Sequence, residues 1–235
     1  MKNINFQIIV PFFNDFENFK LFVHKINELE IDEKVFFLLD NGSEKNKMIE
    51  YSNNSSNKAS WEVIKIEKNL GFGGGVIYGS KYVTKEFIGW MPGNMKLNPK
   101  DVFELFLQNS LKNPNQLLKG TRINRPFLDS FKTLIFGLIA TLYFRINLLD
   151  AGGTPNLVHR SFFDIKSEMP TDVSFDVFAY YYFRKLGKVI RPAISYKTRV
   201  HGNSKWQKGL KSEVAMTLNI LGRKKTWDKI IRERK

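Results

Sequence analysis

The chain has 235 residues, of which 43% are hydrophobic and 21 are phenylalanine, enough apolar material for one large domain rather than a disordered chain. It has no cysteine, which excludes a disulfide framework and a thiolate metal site and is typical of a reducing compartment. The net charge of +14 is uneven: residues 1–183 have 21 Lys/Arg and 20 Asp/Glu, whereas residues 184–235 have 16 and 3. This basic C-terminal part indicates nucleic acid, anionic lipid or a phosphorylated substrate as a partner, unless it is simply a solvated basic face.

The N-terminal residues do not have the pattern of a signal peptide, because their apolar run is short and β-like and no small-residue cleavage site follows it. No segment has the roughly 18–20 apolar residues that a membrane-spanning helix needs. The nearest is Leu134 to Phe144, which lies between Lys132 and Arg145. We therefore expect a cytoplasmic protein that binds the inner face of a membrane peripherally at most.

The first half of the chain alternates between strand and helix patterns. The predicted elements are a strand at 5–10 stopped by Pro11, a helix at 16–29, a strand at 35–39, a short helix at 44–51, a strand at 61–66, a helix at 74–85 and a strand at 86–91. This alternation predicts a parallel sheet with helices on both faces. Ligands of such sheets bind at the carboxyl ends of the strands, where this chain has polar or glycine-rich turns at 11–15, 40–43, 69–75 and 92–94.

The second half contains one unusually apolar helical pattern, at 127–149. It is either a core helix or a helix half-buried in a membrane interface. The other predicted elements are a helix from Pro99, a strand at 117–122, a turn at 150–155, a strand at 157–158, a helix at 174–186 ended by Gly187, strands at 189–190 and 194–200, an amphipathic helix at 208–221 and a basic tail at 223–235.

Polar residues at the predicted strand ends are the candidate ligand contacts. Asp40 is a hydrogen-bond acceptor for a base or ribose edge, with Asn41 and Ser43 beside it, although the same residues could form an Asx turn. The glycines at 71, 73, 74 and 75 allow a close approach of the backbone, and a helix that starts there would suit an anion. No Gly-Lys-Ser/Thr follows, so the glycine segment alone is a weak signal, and the three histidines are scattered.

Three motifs in order carry a resemblance: Ile8 to Asp15 (Ile-Ile-Val-Pro-Phe-Phe-Asn-Asp), Leu39 to Ser43 (Leu-Asp-Asn-Gly-Ser) and Asn69 to Gly73 (Asn-Leu-Gly-Phe-Gly). Together they resemble a family 2 glycosyltransferase with the GT-A fold, which has a central, mostly parallel sheet with helices on both faces. Later segments resemble the dolichol-phosphate mannose synthase-like branch: 120–122, 150–155 and 199–206. The resemblance implies a GT-A domain at 1–207, and 208–235 then forms a basic C-terminal helix and tail.

The resemblance implies transfer of a sugar from a nucleotide-sugar donor, with inversion, to a polyprenyl-phosphate or surface-glycan acceptor in polysaccharide biosynthesis. The implied nucleotide-sugar contacts are Pro11, Phe13, Asp15, Asp40, Asn41, Asn69, Gly71, Gly73 and Asn94. Arg199, Ser204 and Lys205 are the implied phosphate contacts, unless they form an exposed basic loop. Arg122 is a further catalytic candidate. Asp172 and Asp176 are the candidates for a general base, although residues at the start of a helix also serve as caps.

One position departs from the family pattern. The family has Asp-x-Asp at the strand end after the glycine-segment helix, where it binds a divalent ion on the diphosphate; this chain has Pro92-Gly93-Asn94. We expect weak binding of Mg²⁺ or Mn²⁺ or none, with Asn94 the one side chain of the turn that could contribute. The alternative is a catalytically inactive nucleotide-sugar-binding or regulatory protein. Nucleic acid is the least favoured partner, because no helix-turn-helix, zinc finger or stacking motif is present.

Overall fold

A seven-stranded sheet lies at the centre of the computed structural model, which describes residues 4–56, 58–109, 111–197 and 210–234. The strands are β1 Phe6–Phe12, β2 Phe36–Asn41, β3 Trp61–Ile66, β4 Phe87–Trp90, β5 Gln116–Lys119, β6 Thr121–Ile123, β7 Asn156–His159, β8 Lys188–Ile190 and β9 Ala193–Ser195. The helices are α1 Phe16–Asn27, α2 Lys47–Asn53, α3 Gly71–Gly79, α4 Pro99–Gln108, α5 Phe127–Phe144, α6 Phe175–Leu186, α7 Leu210–Gly222 and α8 Lys224–Arg232. A 3₁₀ segment, Arg160–Glu168, follows β7.

The strand order is β3-β2-β1-β4-β7-β5-β8, and β7 runs antiparallel to both of its neighbours. The other pairs are parallel, and β6 and β9 form a separate two-stranded parallel sheet. Helices cover both faces, and each face has its own apolar core. The predicted parallel sheet with two layers of helices is therefore confirmed, and the carboxyl ends of β1, β2 and β4 share one edge.

Pro11 does not stop β1, contrary to the prediction from the sequence. The strand continues to Phe12, and Pro11 pairs with Leu39 of β2. On the other side, the pairing of β1 with β4 ends at Ile9 and Trp90. A proline lacks an N–H but is tolerated where the neighbouring ladder has already ended, so the strand can carry Pro11 into the edge of the site.

The glycine segment is the first part of α3 rather than a loop before it. The N–H of Gly74 donates to the Thr171 carbonyl at 2.7 Å, and the N–H of Gly73 donates to the Asp172 carbonyl at 3.3 Å. A Cβ on Gly73 would lie 2.5 Å from the Pro170 carbonyl oxygen. The glycines thus let α3 pack directly on the backbone before α6. These two N–H groups are already paired within the protein, so the anion cradle expected from the glycines is not supported at this helix start.

Helix α5 ends at Phe144, because Arg145 takes a left-handed conformation, so it is shorter than the predicted 127–149. Its 18 residues are nevertheless long and apolar enough to cross a membrane by length and composition, which corrects the expectation that no segment qualifies. The buried residues of α5 are Gly137, Ala140 and Phe144. Most of its apolar side chains are therefore exposed, unlike those of a core helix.

The predicted basic tail is wrong over most of its length, because 224–232 form α8. Trp227, Ile230 and Ile231 are buried on one side of this helix. The Trp227 ring lies 5.5 Å from Phe178 of α6 and 5.6 Å from Phe144 of α5, measured between centroids. The spacing of three and four between these apolar residues is a helical pattern that the many surrounding lysines and arginines obscured.

Candidate active site

Asp40 and Asn41 are the last residues of β2, not a turn as predicted, and both are buried. Asp40 Oδ1 accepts a hydrogen bond from the N–H of Ser43 at 3.1 Å. Asp40 Oδ2 is buried and has no hydrogen-bond partner. A buried carboxylate oxygen without a partner is costly, so this atom is a strong candidate for accepting a donor group from a ligand.

Asn41 joins the end of β2 to the start of α3. Its Oδ1 accepts from the N–H of Leu70 at 3.2 Å, and its Nδ2 donates to the Gly71 carbonyl at 2.9 Å. Asn69 Oδ1 accepts from the N–H of Gly71 at 2.8 Å. A Cβ on Gly75 would be 3.3 Å from Pro11 Cβ. The structure thus brings Pro11, Asp40, Asn41, Asn69 and Gly71 together on one edge of the sheet.

A small cavity of about 280 Å³ lies after the ends of β1 and β2. Asp15, Phe16 and Ser43 are among its lining residues. Asn14 has a positive φ of 49°, and its N–H donates to Ser43 Oγ at 3.0 Å. We refer to this cavity together with Asp40 and Asn41 as the β1–β2 rim. The roles predicted for Phe13 and for the other residues of this edge stay predictions.

The turn after β4 does not fit a divalent cation. Pro92 and Asn94 stand where the Asp-x-Asp pattern has its carboxylates, and Pro92 has no ligating side-chain atom. A Cβ on Gly93 between them would lie 2.6 Å from Cδ1 and Cζ of the buried Phe12 ring, so the middle position has no room for a substitute ligand. Asn94 Oδ1 already accepts a hydrogen bond from the N–H of Lys96 at 3.2 Å. Within the part of the chain that the structure describes, no three His, Cys, Asp or Glu side chains come together as metal ligands.

A larger cavity, of about 720 Å³, opens beside the same turn and extends between α5 and α7. Pro92 and Asn94 line its inner end, and apolar side chains such as Ile139 and Leu218 line its outer walls. At the inner end, Tyr196 is surrounded by three cations. Its ring centroid is 5.7 Å from Lys96 Nζ, 5.3 Å from Arg122 Cζ and 5.6 Å from Arg125 Cζ. We call these three side chains the cation cluster.

Asp150 holds the arginines in place. It has a positive φ of 55°; its Oδ1 accepts from Arg122 Nε at 3.0 Å and its Oδ2 from Arg191 Nη2 at 3.2 Å. Burial alone would lower the pKa of Arg122, but the Asp150 carboxylate outweighs it and the pKa is raised. Arg125 lies farther from the carboxylate, at 3.9 Å, and its Nε is buried with no hydrogen-bond partner. Burial and the adjacent Arg122 lower the pKa of Arg125.

Asp176 lines the large cavity and anchors a buried polar chain beneath it. Its Oδ1 accepts from Trp90 Nε1 at 2.7 Å and from Asn156 Nδ2 at 3.0 Å. The Asn156 amide oxygen in turn accepts from Lys119 Nζ at 3.3 Å, and Lys119 also donates to the Gly153 carbonyl at 2.5 Å. Burial raises the pKa of Asp176 to about 6 and lowers the pKa of Lys119 to about 7.

Asp172 lies one turn before Asp176 but has different partners. Its Oδ1 accepts from the Ser174 hydroxyl at 2.6 Å and the Ser174 N–H at 3.0 Å. Its Oδ2 accepts from Arg223 Nη2, between α7 and α8, at 2.8 Å. Both candidate bases are therefore already hydrogen-bonded within the protein, and their catalytic role stays a prediction.

Arg199, Ser204 and Lys205 lie outside the described residues. The sequence did not single out Lys96, Lys119 or Arg125, which the structure adds to the site. Lys119 had a detectable signal, because it is a charged residue at the end of the apolar strand Gln116–Lys119. Lys96 and Arg125 had none, since their meeting depends on contacts between distant loops.

Comparison with protein families gives one match, and a search of the curated proteins finds none. The sequence profile described as "Glycosyl transferase family 2" matches residues 7–163. Among solved structures, glucosyl-3-phosphoglycerate synthase from Mycobacterium tuberculosis, in complex with Mn²⁺, UDP and glucosyl-3-phosphoglycerate, is 15% identical, with a TM-score of 0.67 over 93% of this chain and 80% of that one. A mycobacterial protein is 16% identical, with a TM-score of 0.66 over 93% and 75%. These likenesses establish the GT-A fold.

Proposed function

The chain belongs to glycosyl transferase family 2, and we propose that it transfers a sugar from a nucleotide-sugar donor to a polyprenyl-phosphate acceptor at a membrane surface, with inversion. The branch that we propose is the dolichol-phosphate mannose synthase-like one, which its later motifs resemble. The observation that carries the proposal is the large cavity, which has the cation cluster at one end and apolar helix side chains along its walls. A lipid phosphate has two matching parts: an apolar chain for the walls, and an anionic phosphate that is attracted to the cationic end, where the donor diphosphate would also lie.

The β1–β2 rim supports the donor. Asp40 Oδ2 is a buried acceptor without a partner, and a base or ribose edge that satisfies it must present an N–H or O–H. The ring N–H of uracil or guanine is such a donor. The solved structures of similar fold include complexes with UDP and with UDP-glucose, which agrees with a uridine or guanosine donor.

The exposed face of α5 supports a lipid acceptor. Phe127, Leu128 and Leu142 are 80%, 71% and 78% exposed, and Leu218 of α7 is 63% exposed. Such a contiguous apolar surface marks an interaction site. Residues 184–235 carry a net +13, and each Lys or Arg near an anionic bilayer contributes about 1 kcal/mol of attraction. We therefore infer that α5 and α7 lie at the membrane interface, where the prenyl chain enters the cavity.

The two candidate bases also favour a phosphate acceptor. A hydroxyl acceptor must lose a proton in the transition state, and this requires an available carboxylate. Asp172 is paired with Arg223 and Ser174, and Asp176 is held by Trp90 and Asn156. A phosphate monoester is already an anion, so one of its oxygens can attack the sugar C1 without a base while the bond from C1 to the donor diphosphate breaks. Arg199, Ser204 and Lys205 are the proposed contacts of the acceptor phosphate.

The proposal is tested by incubating the purified protein with radiolabelled UDP- and GDP-hexoses and a short-chain polyprenyl phosphate in detergent. We expect label in the organic phase as a polyprenyl-phosphate sugar of inverted anomeric configuration. In anionic vesicles, Ile139→Asp should reduce both vesicle binding and transfer, while Tyr82→Asp serves as the matched control, because each side chain is 41% exposed and Tyr82 lies outside α5 and α7.

Three outcomes would overturn the proposal in different ways. Nucleotide binding without turnover on any lipid phosphate, with or without divalent ions, indicates an inactive nucleotide-sugar-binding protein. Transfer to a glycan hydroxyl but not to polyprenyl phosphate indicates a surface-glycan acceptor. No binding of any nucleotide contradicts the donor assignment altogether.

A further inference from the structure

We propose that the cation cluster, Lys96, Arg122 and Arg125, takes the place of the divalent cation on the donor diphosphate. The inference rests on the proposed nucleotide-sugar donor and adds which side chains bind its diphosphate. It concerns the same end of the large cavity, next to the turn after β4. Two of its residues, Lys96 and Arg125, have no role in the resemblance described above.

The first step is that this turn lacks the usual carboxylates. Position 92 is a proline, with no side-chain ligand, and position 94 is a neutral asparagine. Gly93 between them packs against the Phe12 ring, which Phe19 and Phe22 hold edge-on at centroid distances of 5.5 and 5.7 Å, so a side chain at 93 has no room to supply a ligand in their place. A Mg²⁺ or Mn²⁺ site needs oxygen ligands from the protein in addition to the phosphates, and the turn leaves only the neutral Asn94 oxygen, which is already hydrogen-bonded.

The second step is that the fold brings positive charge to the same place. The N–H of Lys197, two residues after β9, donates to the Lys96 carbonyl at 2.8 Å. This bond joins the segment after β4 to the segment after β9 and places Lys96 beside Tyr196. Arg122 belongs to β6, which pairs with β9, so the second sheet delivers it to the same ring.

The third step is that the cluster has a buried donor without a partner. The Arg125 side chain is 10% exposed, its Nη2 donates to Thr133 Oγ1 and to the Asp129 carbonyl, and its Nε donates to nothing. Its guanidinium and that of Arg122 both lie over the Tyr196 ring, so the two positive charges are close together. An anion between the two would satisfy the Nε donor and relieve the repulsion.

The carboxylates around the cavity do not cancel this charge. Asp150 is shared between Arg122 and Arg191, and Glu213 is paired with Lys132 at 2.9 Å. Asp176 is turned to Trp90 and Asn156. Asp129, the third carboxylate in the lining, acts on Arg125, so one negative charge stands against that guanidinium while Lys96 adds a further positive charge. The inner end beside Tyr196 therefore keeps a positive excess of the kind that a diphosphate neutralises.

The chemistry needs this charge on the leaving group. When the bond from sugar C1 to the terminal phosphate oxygen breaks, its electron pair stays on the nucleoside diphosphate. Fixed cations at that oxygen stabilise the developing charge, as a metal ion would. Guanidinium groups suit the task because their planar N–H groups match two phosphate oxygens at once.

The test measures binding by calorimetry of inorganic pyrophosphate, UDP and UMP, each in EDTA and in Mn²⁺. We expect pyrophosphate and UDP to bind in EDTA and to bind no more than about twofold tighter in Mn²⁺. Arg125→Met and, separately, Lys96→Met should each weaken UDP binding by about tenfold or more, the effect of removing a charge-assisted contact. The same substitutions should weaken the binding of UMP, which lacks the terminal phosphate, much less. Lys81→Met is the matched control, since Lys81 also lies over a tyrosine, at 4.8 Å from Tyr78, but outside the cavity.

Each alternative result overturns the inference. If UDP binds only in Mn²⁺, or if both cluster variants bind UDP and pyrophosphate as tightly as Lys81→Met does, the cluster does not replace the metal. Sugar transfer that survives in that case leaves the proposed function standing. A third result is that the wild type binds pyrophosphate without metal, both cluster variants lose this binding, and no nucleotide binds. The cluster is then an anion site, but its ligand is not the diphosphate of a nucleotide sugar.

Discussion

The β1–β2 rim and the large cavity are neighbours on one edge of the sheet, yet they are built in opposite ways. The rim is closed by hydrogen bonds between side chains and backbone, and it keeps one buried acceptor without a partner, Asp40 Oδ2. The cavity is open, its polar end is cationic, and it keeps one buried donor without a partner, Arg125 Nε. The difference indicates two kinds of ligand group: an N–H-bearing base at the rim and an anion in the cavity.

The apolar surface follows the same division. The exposed large apolar side chains of the described residues lie on α5 and α7, except for Tyr82 and Ile123. Near the rim, apolar side chains such as Phe12 and Met48 are buried. A small polar ligand needs no apolar surface, whereas a lipid does, so the division agrees with a donor on one side and a lipid acceptor on the other.

The two faces of α5 give the largest contrast within the cavity region. Phe144 is 1% exposed and packs on Tyr181 at 4.8 Å, whereas Leu142, two residues earlier, is 78% exposed. Phe144→Ala should lower the free energy of unfolding by about 3–5 kcal/mol, because it leaves a cavity in the core. Leu142→Ala should change it by less than about 0.5 kcal/mol. Urea unfolding checks both, and similar losses for the two variants would mean that the outer face of α5 is covered in solution.

At the rim, Asn41→Asp tests whether the hydrogen bond from Asn41 Nδ2 to the Gly71 carbonyl stabilises the fold. A carboxylate oxygen would replace Nδ2, which donates to the Gly71 carbonyl, and two acceptors would then face each other. We expect a loss of about 3 kcal/mol at neutral pH, because a buried charge without a donor costs more than a lost neutral bond. The loss should be smaller in acid, where the new carboxyl is protonated. Asn69→Asp is the control, since Asn69 acts through its oxygen on the Gly71 N–H; a similar loss in both variants would contradict the assignment.

The buried chain under the cavity predicts that the stability of the protein depends on pH. Lys119 has a pKa of about 7 in the folded protein against 10.5 as its ordinary value, so above neutral pH the unfolded chain binds more protons and stability rises with pH. The pKa of Asp176 is raised from 3.8 to about 6, so the stability that its protonated form contributes is lost as pH rises through that range. Wild type should therefore gain about 2–3 kcal/mol between about pH 7 and about pH 9 relative to Lys119→Met. Unfolding curves for the two proteins check this, and parallel pH profiles would mean that Lys119 stays charged when buried.

The sequence predicted the rim better than the cavity, for a physical reason. Strand ends follow from local patterns, and the rule that parallel strands end at one edge brings Asp40, Asn41 and Asn69 together without further information. The cation cluster depends on the second sheet, β6 with β9, and on the left-handed backbone of Asp150. No local pattern encodes either feature. Helix α8 is an intermediate case, because its apolar spacing was present in the sequence but lay among basic residues.

The smallest effect concerns the turn where the two regions meet. Gly93→Ala adds one methyl group against the buried Phe12 ring, and we expect a loss of about 1–2 kcal/mol, the lower part of the range for overpacking. Gly152→Ala is the matched control: Gly152 also lines the large cavity, but a Cβ there meets nothing within 4 Å, so its unfolding free energy should be unchanged. If Gly93→Ala were as stable as Gly152→Ala, the Phe12 ring would yield easily, and lack of room would no longer explain why the middle of the Pro92-Gly93-Asn94 turn supplies no metal ligand. A measurable loss confined to Gly93→Ala instead means that the turn is held against the Phe12 side of the core at the edge of the large cavity.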